Sequence, residues 1–593
     1  MTNSELPNSI TSTINRNPSS KEVLSDIYAS MLDSLKQEIA AKIYVYPIDT
    51  GLGKSTLIKS FLAEWKAEGF EPEGSVLIVL NTKAEILEFT EGCGLNASDY
   101  AALTADNDVN SVGAGHHKAN SVPVLFTTHA MVQHRLDKKS FSKADEFFHK
   151  GRPRTLRVWD EQALRAEPIH LTLDTIAKLY EPVRPYFPHW VEGLEAFVAQ
   201  VKAAAPNTTV RVPDSFGSGP QFNGAEGIRP ALFPWAADAF KALCAAMGRK
   251  VRICAGKLYG RTLVGSGPAL PDDIAPLFVF DASARIGDTY ALWGENSPVQ
   301  VMPALTRDYS KLIVRLWKTS CGNSTLEQPE KRNHLIRGIV KALNFDAEPT
   351  LVIGKKARPT FDIHKDLRAS VSNPDNVSFL HWGRHYGTNE YRQVKRMVVI
   401  GAHQARDTMD LALYAAASGV DVEQLAGDEG LALSRVRMKQ NLLQAFSRGH
   451  LREGVNGQCG ECVVYFVAPP SISPEQLVRE TFPGCQIEEW HPFDPVLTGQ
   501  AKAVFDVLND WAGRDGKLNP YPKMIVRTAV GIESPSRFAQ VLANPSLRTA
   551  LQGIGITVEN KGFLKSAVPS PIINIAEVRA RRLARQEQAA KAA

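Results

Sequence analysis

The apolar positions of the first part of the chain follow two different patterns, one with a helical period and one of continuous apolar runs. From Lys21 to Ile39 they recur at three-and-four spacing, which predicts an amphipathic helix. Continuous apolar runs rich in β-branched residues follow at 75–80 (SVLIVL) and 122–127 (VPVLFT), as is typical of strands buried on both faces of a parallel sheet. A shorter run, Ala41 to Tyr46, leads through a glycine-rich turn into another helical segment. This pattern predicts an α/β unit.

The rest of the chain divides into three further parts. Helical segments broken by the Gly/Pro-rich stretch DSFGSGPQFNGAEGIRP predict an insertion, and a second α/β series begins near Ser310 with YSKLIVRLW, PTLVIGKK, VSFLHWG, RMVVIGAH and ECVVYFVAP. After Pro470 the pattern is mostly helical. Because single cores stop growing at about 250–300 residues, a chain of 593 residues should form three or more units. The predicted parts are a disordered tail (1–20), a first lobe (21–170 plus 276–305), an inserted, mainly helical domain (171–275), a second lobe (306–470) and a mainly helical C-terminal region (471–593).

Charge and cysteine content narrow the possible environments. A formal net charge of +5 is mildly basic and permits a polyanionic partner without requiring one. No apolar run reaches the roughly 18 residues of a membrane span and the N-terminus lacks an apolar leader, so we expect a cytoplasmic protein without membrane contact. The seven cysteines are mostly far apart, which does not suggest a disulfide framework. Cys459 and Cys462 form the single close pair; two thiols in a hairpin loop are favoured over a metal or redox site.

The strongest chemical signal is the segment Tyr46 to Thr56, YPIDTGLGKST, between a predicted strand and a predicted helix. A phosphate chain needs backbone N–H groups that approach closely and a cation, and Gly51, Gly53 and Lys54 meet these needs. The hydroxyl of Ser55 would ligate Mg²⁺. The predicted nucleotide-binding residues are Thr50, Gly51, Leu52, Gly53, Lys54, Ser55 and Thr56.

A second signal is the adjacent carboxylate pair Asp160 and Glu161, which follows a predicted strand about a hundred residues after the glycine-rich loop. Phosphoryl transfer needs one carboxylate to hold Mg²⁺ and one to polarise the attacking water. The order along the chain assigns Asp160 to the metal and Glu161 to the base. An Asp-Glu pair by itself is common and usually only solvated, so the position after the loop carries the assignment.

With these two segments the chain resembles the DExx-box family of superfamily 2 helicases. The glycine that usually opens a phosphate loop is absent, but members of this family commonly replace it and keep a Thr-Gly-x-Gly-Lys core, here Thr50 to Lys54. The resemblance implies two RecA-like parallel-sheet lobes, ATP and Mg²⁺ as ligands, and nucleic acid as partner. It covers about residues 41–470, with the insertion outside it. Only Cys93 lies between Ser55 and Asp160, so the iron–sulfur cluster of the repair helicases is not expected.

Weaker segments fit the same family in the same order. Val124 to Val132 (VLFTTHAMV) resembles a motif at the end of a β-strand that binds a single strand of nucleic acid, here through Thr127 and Thr128. Phe280 to Ala284 (FDASA) resembles the coupling motif of the family, which reads Asp-Ala-Thr or Ser-Ala-Thr. Val76 to Glu85 resembles another motif at the end of a β-strand. Gly383 to Gly401 resembles motif V, which implies nucleic-acid contacts from Thr388 and Asn389.

Gln444 to Arg452 (QAFSRGHLR) resembles motif VI, in which the second lobe supplies positive charge to the transition state. The resemblance implies Arg448 and Arg452 as arginine fingers and Gln444 as a nucleotide-positioning residue. Ser447 replaces a common glycine, and Arg452 lies four rather than three residues after Arg448. Arg448 is therefore the favoured finger, and an amphipathic helix with surface arginines is the alternative.

The C-terminal region carries a different signal. Two short helical patterns separated by Gly531 and Ser534-Pro535 resemble a helix-turn-helix, with Arg537 near the start of the second helix as a nucleic-acid contact. A helical bundle packing on the rest of the protein explains the same pattern equally well. The arginine-rich tail either holds phosphates or is a solvated helix.

Together these observations predict a nucleic-acid-stimulated ATPase that couples ATP hydrolysis to movement on nucleic acid, with single-stranded DNA slightly favoured over RNA. Two alternatives remain open: a DNA translocase or packaging-type motor that does not separate strands, and a nucleic-acid-binding scaffold that ATP switches. Protein partners would bind through the insertion or the C-terminal region.

Overall fold

The computed structural model describes most of the chain, as two compact units. The described residues are 20–136, 140–185, 187–216, 234–256, 260–294, 297–343, 348–384, 390–403, 407–425, 429–493, 497–513, 520–560 and 562–565. The first unit comprises the described residues up to Arg307 together with 407–437, and the second comprises those of 308–403 and 438–565. The predicted disordered tail lies outside the described residues except for Ser20, and the arginine-rich C-terminal tail lies outside them entirely.

The strands of the described chain are numbered in chain order. They are β1 (Ile43–Tyr46), β2 (Val76–Leu80), β3 (Tyr100–Leu103), β4 (Val124–Thr128), β5 (Phe148–His149), β6 (Arg152–Pro153), β7 (Leu156–Asp160), β8 (Ala166–Thr172), β9 (Thr209–Arg211), β10 (Lys250–Gly256), β11 (Gly260–Ala269), β12 (Leu277–Phe280), β13 (Val299–Val301), β14 (Leu312–Lys318), β15 (Thr350–Gly354), β16 (Val377–His381), β17 (Arg396–Ile400), β18 (Cys462–Ala468), β19 (Gln486–Glu489), β20 (Tyr521–Pro522), β21 (Ile556–Val558) and β22 (Gly562–Lys565).

The α-helices are identified by their residue ranges. In the first unit they are Lys21–Leu35, Lys54–Ala67, Lys83–Glu91, Asn107–Asn110, His129–Arg135, Leu173–Ala177, Tyr180–Val183, Pro188–Ala203, Pro234–Ala246 and Asp407–Ser418. The helix Glu429–Phe446 crosses the division between the units. In the second unit they are Asn323–Leu326, Pro329–Leu343, Ile363–Ser370, Pro474–Thr481, Gly499–Gly513, Lys523–Ala529, Pro535–Ala543 and Pro545–Gly553. Within the described residues, no helix is both long and apolar enough to span a membrane.

A seven-stranded sheet forms the centre of the first unit. Its order is β13-β1-β12-β7-β2-β4-β3, and all its neighbouring strands are parallel. The apolar runs that predicted it are buried along their whole length in β1, β2, β4 and β12, because helices cover both faces of such a sheet. The amphipathic helix Lys21–Leu35 buries Leu24, Ile27 and Met31 against this core.

The insertion forms a layer of its own within the first unit. Helices predominate in it, as predicted, but it also contains the antiparallel sheet β8-β11-β10-β9, which the sequence did not reveal. One face of this sheet packs on the helix Pro188–Ala203, whose Trp190, Leu194 and Phe197 are buried. The stretch 217–233, which contains most of the Gly/Pro-rich segment, lies outside the described residues.

The segment 407–437 departs from the predicted domain layout. The prediction placed it inside the second lobe, 306–470, yet it belongs to the first unit. Its helix Asp407–Ser418 packs on β8 and β11 of the inserted sheet. Leu411 and Ala415 are buried in one cluster with Val264 of β11, so the burial of apolar surface explains the association.

The second unit contains a six-stranded parallel sheet, β16-β15-β17-β18-β14-β19. Its central strands β15 and β17 are fully buried, as their continuous apolar sequences predicted. The predicted α/β fold with two parallel-sheet lobes is therefore confirmed. The C-terminal region is mainly helical, as predicted, and adds the small antiparallel sheet β20-β22-β21.

Candidate nucleotide-binding site

The predicted phosphate loop joins β1 to the helix Lys54–Ala67 at the carboxyl end of the parallel sheet. Gly51 and Gly53 have φ angles of 80° and 97°, in the left-handed region that glycine adopts without steric cost. Gly53 is the N-cap of the helix, so the free N–H groups of the first turn lie directly after it. Lys54 is half-buried at this end, and Ser55 and Thr56 are exposed. The N–H groups of this first turn are those that a helix start offers to an anion.

Asp49 holds this loop from inside the protein. Its carboxylate is fully buried and accepts hydrogen bonds from Arg285 Nε at 2.6 Å and from the backbone N–H of Arg307 at 3.0 Å. Arg307 Nε also donates to the carbonyl oxygen of Thr50 at 3.0 Å. Two arginines with largely buried side chains, one from the segment after β12 and one from the segment after β13, therefore fix the shape of the loop. No sequence motif indicated this arrangement, which we call the Asp49 clasp (Asp49, Arg285 and Arg307).

The acidic pair lies at the end of β7, where β12 is its neighbour in the sheet. Asp160 is half-buried, and this burial raises the pKa of its carboxyl; the positive charge of Lys54 and the N–H of Glu161 act in the opposite direction, and Asp281 raises the pKa further. In the sheet, β12 lies between β7 and β1, the strand that leads into the loop of Lys54, so Asp160 and Asp281 follow neighbouring strands. The structure therefore places the predicted lysine and the predicted metal ligand at the same edge of the sheet.

Glu161 has an unusual backbone conformation. Its φ angle of 68° lies in the left-handed region, which is uncommon for a residue with a Cβ and concentrates at functional sites. Its N–H donates to the carbonyl oxygen of Phe280 at 3.0 Å, which explains how the neighbouring strand imposes this turn. Asn81 Nδ2 donates to Glu161 Oε2 at 3.3 Å. The side chain therefore has a defined direction at the strand end, as a general base requires.

Asp281, the first polar residue after β12, is joined to the acidic segment through Tyr290. One carboxylate oxygen of Asp281 accepts from the N–H and hydroxyl of Ser283 at 2.7 and 2.6 Å, and the other from the hydroxyl of Tyr290 at 2.9 Å. The same hydroxyl accepts from the N–H of Ala163 at 3.1 Å. Burial raises the pKa of Asp281, while these donors and Lys54 lower it. Tyr290 is a linking residue that no sequence motif indicated.

His129 lies on the other side of the acidic strand. Its ring stacks on Trp159, with centroids 4.3 Å apart and planes inclined by 11°. Burial lowers the pKa of His129 to about 4, and a hydrogen bond with the backbone of Asp160 opposes that shift. The imidazole is therefore neutral at pH 7 and supports the strand end by packing.

Thr127 and Thr128, which were predicted to bind a nucleic-acid strand, form hydrogen bonds within the protein. Thr127 is fully buried and its hydroxyl donates to the carbonyl oxygen of Leu103 at 2.7 Å. Thr128 is the N-cap of the helix His129–Arg135 and accepts from the N–H of Met131 at 3.3 Å. In this conformation Thr127 presents no surface to a nucleic acid. Thr388 and Asn389 lie outside the described residues.

The predicted motif VI residues lie in the second unit. Arg448 is buried and its guanidinium donates to Gln444 Oε1 at 2.6 Å, so these two predicted residues contact each other. Arg452 ends the short 3₁₀ helix His450–Arg452. Between them, Gly449 leaves no room for a side chain, because a Cβ there would come within 2.7 Å of Met397 Sδ and 2.9 Å of the Val394 carbonyl oxygen.

Two other predicted features have defined positions. Cys459 and Cys462 are both buried as free thiols, and burial raises the pKa of Cys462 to about 12. In the portion of the chain that the structure describes, no group of three or more His, Cys, Asp or Glu side chains is arranged to hold a metal ion. Arg537 is exposed in the C-terminal region, at the start of the helix Pro535–Ala543.

Comparison with known proteins gives structural resemblances only. No family model and no curated protein matches the sequence. S. cerevisiae Dbp5 bound to RNA and ADP BeF3 is similar with a TM-score of 0.35 and 8% identity over 82% of this chain and 89% of that chain. A variant of Dbp5 with the same ligands gives 0.35 and 9% identity over 79% and 90%. Mycobacterium smegmatis helicase Lhr bound to ssDNA and AMP-PNP gives 0.31 and 14% identity over 87% of this chain and 55% of that chain. Resemblances of this degree assign no role to any residue.

Proposed function

We propose that the protein is an ATP- and Mg²⁺-dependent motor that moves along nucleic acid or unwinds it. One observation carries the proposal: the phosphate loop, with Lys54 at a helix start, and the carboxylates Asp160 and Asp281 follow three neighbouring strands at the carboxyl edge of a parallel sheet. Open parallel sheets bind their ligands at this edge. A lysine and two carboxylates at one edge of a sheet are suited to a polyphosphate that arrives with a divalent metal.

The residues present fit ATP with Mg²⁺. The N–H groups of the first turn and Lys54 would hold the β- and γ-phosphates, and the exposed hydroxyl of Ser55 is free to ligate the metal. Asp160 would hold the metal through its water shell, and Glu161 would take the proton of the attacking water. When bound, Mg²⁺ neutralises charge that develops on the phosphate oxygens.

The coupling of hydrolysis to movement needs groups from outside the first lobe. From the resemblance to motif VI, we propose Arg448 as the arginine finger and Gln444 as a nucleotide-positioning residue; the two side chains are hydrogen-bonded to each other. Within the first unit, the hydrogen bonds of Tyr290 to Asp281 and Ala163 support a role for the FDASA segment in sensing the acidic pair. Single-stranded DNA is slightly favoured over RNA as the track.

The test is the ATPase rate of the whole chain with no nucleic acid, with single-stranded DNA, with duplex DNA and with RNA at a stated salt concentration. Stimulation by single-stranded DNA supports the proposal. A very slow rate under all four conditions would favour an ATP-switched scaffold instead. Strand displacement from a tailed duplex then separates a helicase from a translocase that leaves strands paired.

Two variants test the site itself. Lys54→Ala should abolish hydrolysis and weaken ATP binding, because it removes the cation that contacts the phosphates. Glu161→Gln should bind ATP normally and stall before hydrolysis, because the amide cannot accept a proton. Lys66→Ala, on the same helix with its side chain paired to Asp99, is the matched control and should hydrolyse ATP at the wild-type rate. Normal turnover in Lys54→Ala would exclude this loop as the ATP site.

A further inference from the structure

The end of the described chain forms a small body with its own core. Helices Gly499–Gly513, Lys523–Ala529, Pro535–Ala543 and Pro545–Gly553 pack with the sheet β20-β22-β21. Val504, Leu508, Phe538, Leu547 and Phe563 are buried together in a cluster drawn entirely from this region. The body covers residues 497–565, and we call it the C-terminal body.

Two of its helices are joined as in a helix-turn-helix. The helix Lys523–Ala529 ends at its C-cap Val530, and the next helix begins after its N-cap Ser534. Only three residues lie between these caps, and Gly531 at φ 68° turns the chain while Ile532 is buried in the cluster. A turn of three or four residues containing glycine is characteristic of this motif. The hairpin β21–β22 follows and pairs with β20, which adds a β-hairpin to the motif.

The second helix of the motif, Pro535–Ala543, presents one free face. Only Phe538, Val541 and Leu542 are buried, and every other residue of the helix is exposed. The free face carries Ser536, Arg537 and Gln540, whose donors and acceptors are of the kind that read base edges. Arg537 donates to the neutral amides of Gln500 at 3.1 Å and Gln540 at 3.3 Å, so no carboxylate neutralises its charge in these contacts.

The charge of this region matches a polyanion. Residues 520–565 contain six Lys and Arg and two Asp and Glu, a net charge of +4, whereas the whole chain has a net charge of only +5. From Ser534 to Val558 the sequence contains no acidic residue. Lys523 and Arg527 lie on the first helix of the motif, which in such motifs crosses the phosphate backbone.

We propose that the C-terminal body binds duplex DNA, with the helix Pro535–Ala543 in the major groove and Lys523 and Arg527 on the flanking phosphates. The major groove of B-form DNA is wide enough for an α-helix, whereas that of A-form RNA is too deep and narrow. The geometry therefore selects duplex DNA over duplex RNA. The inference rests on the proposed function only in that the motor acts on nucleic acid, and it gives the motor a second contact, on paired strands.

The test uses the full chain and fluorescence anisotropy with three labelled probes at fixed salt: a random 30-base-pair DNA duplex, the same duplex in RNA, and a 30-nucleotide single strand of DNA. Arg537→Ala should weaken binding of the DNA duplex by about tenfold. The double variant Lys523→Ala/Arg527→Ala should lower the dependence of log affinity on log salt by about two. Arg479→Ala is the matched control, because it removes an exposed arginine from another helix of the second unit.

The outcomes separate this inference from the proposed function. Weaker duplex DNA binding in Arg537→Ala, with an unchanged melting temperature and no such loss in Arg479→Ala, supports the inference. Equal affinity of the wild type for DNA and RNA duplexes would overturn it, as would an Arg537→Ala duplex affinity equal to that of Arg479→Ala. Absence of stimulated ATPase in the wild type would instead overturn the proposed function, and the binding result would stand.

Discussion

The Asp49 clasp gives the sharpest test of how the phosphate loop is held. Asp49→Ala removes a fully buried carboxylate and leaves Arg285 buried, with its side chain 6% exposed, without this counter-charge. Removing one partner of a buried ion pair costs about 3–5 kcal/mol, because the remaining charge stays desolvated. The first unit has about 290 described residues. At about 2.1 cal/mol/K per residue its unfolding entropy is about 0.6 kcal/mol/K, so this unit should melt about 5–8 °C lower.

Asp49→Ala should also lower the affinity of the protein for ATP. Without the clasp, only a fraction of the molecules have the loop in the binding conformation before ATP arrives. The apparent affinity for ATP is the intrinsic affinity multiplied by that fraction, so it falls. We expect the Kd for a fluorescent ATP analogue to rise at least about tenfold, which corresponds to about 1.4 kcal/mol. Differential scanning calorimetry and fluorescence titration measure the two effects in the same preparation.

An exposed ion pair in the same unit provides the comparison. Arg152 and Glu73 are paired at 2.5 Å, with side chains 74% and 68% exposed. Glu73→Ala should cost about 0–1 kcal/mol and leave ATP binding unchanged, because solvent screens such a pair. If Asp49→Ala costs no more than Glu73→Ala in melting temperature and in ATP affinity, the clasp does not hold the loop and the reasoning is refuted.

Three further variants probe other contacts. Tyr290→Phe should lower the melting temperature by a few degrees and slow hydrolysis more than it weakens ATP binding. The reason is that Asp281 and the Ala163 N–H lose a buried hydrogen-bonding partner, which costs about 1–3 kcal/mol. An unchanged melting temperature and an unchanged rate of hydrolysis would contradict this prediction. The pKa of His129 falls to about 4 on folding, so its stabilisation is complete above pH 6.5 and is lost as the pH falls towards 4. His129→Phe should flatten the melting-temperature profile in that window, and a profile as steep as that of the wild type would contradict the assignment. Arg448→Ala should retain ATP binding and lose stimulated hydrolysis by about 10³-fold, with little rescue by Arg448→Lys; if Arg452→Ala alone stalls turnover, the register of motif VI is wrong.

The sequence was sufficient for features that local spacing encodes. The loop Thr50 to Thr56 and the pair Asp160 and Glu161 follow strands whose continuous apolar runs are unmistakable, and the structure places Lys54 and Asp160 at the same edge of one parallel sheet. The second parallel sheet followed from the same kind of run. Periodicity and strand-end position are local properties, so one sequence is enough to see them.

The features that the sequence did not reveal depend on contacts between distant residues. Asp49 is 236 residues from Arg285 in sequence, and nothing around either residue indicates the other. Tyr290 belongs to no motif, and its role exists only because the fold brings Ala163 and Asp281 to it. The strands β10 and β11 contain glycine and charged residues, so their pattern did not stand out from the helices around them.

The position of residues 407–437 has a consequence for the order of events during synthesis. The first unit includes this segment, so its inserted sheet keeps an uncovered apolar face until residue 437 has left the ribosome. At about 5–20 residues per second, the 130 residues after Arg307 take roughly 7 to 26 seconds to make. Strands β14 to β17 of the second unit emerge during that interval. The amino-terminal half therefore cannot finish folding before much of the following half has been translated, and neither half can be expressed as one continuous stretch of sequence without leaving an apolar surface exposed.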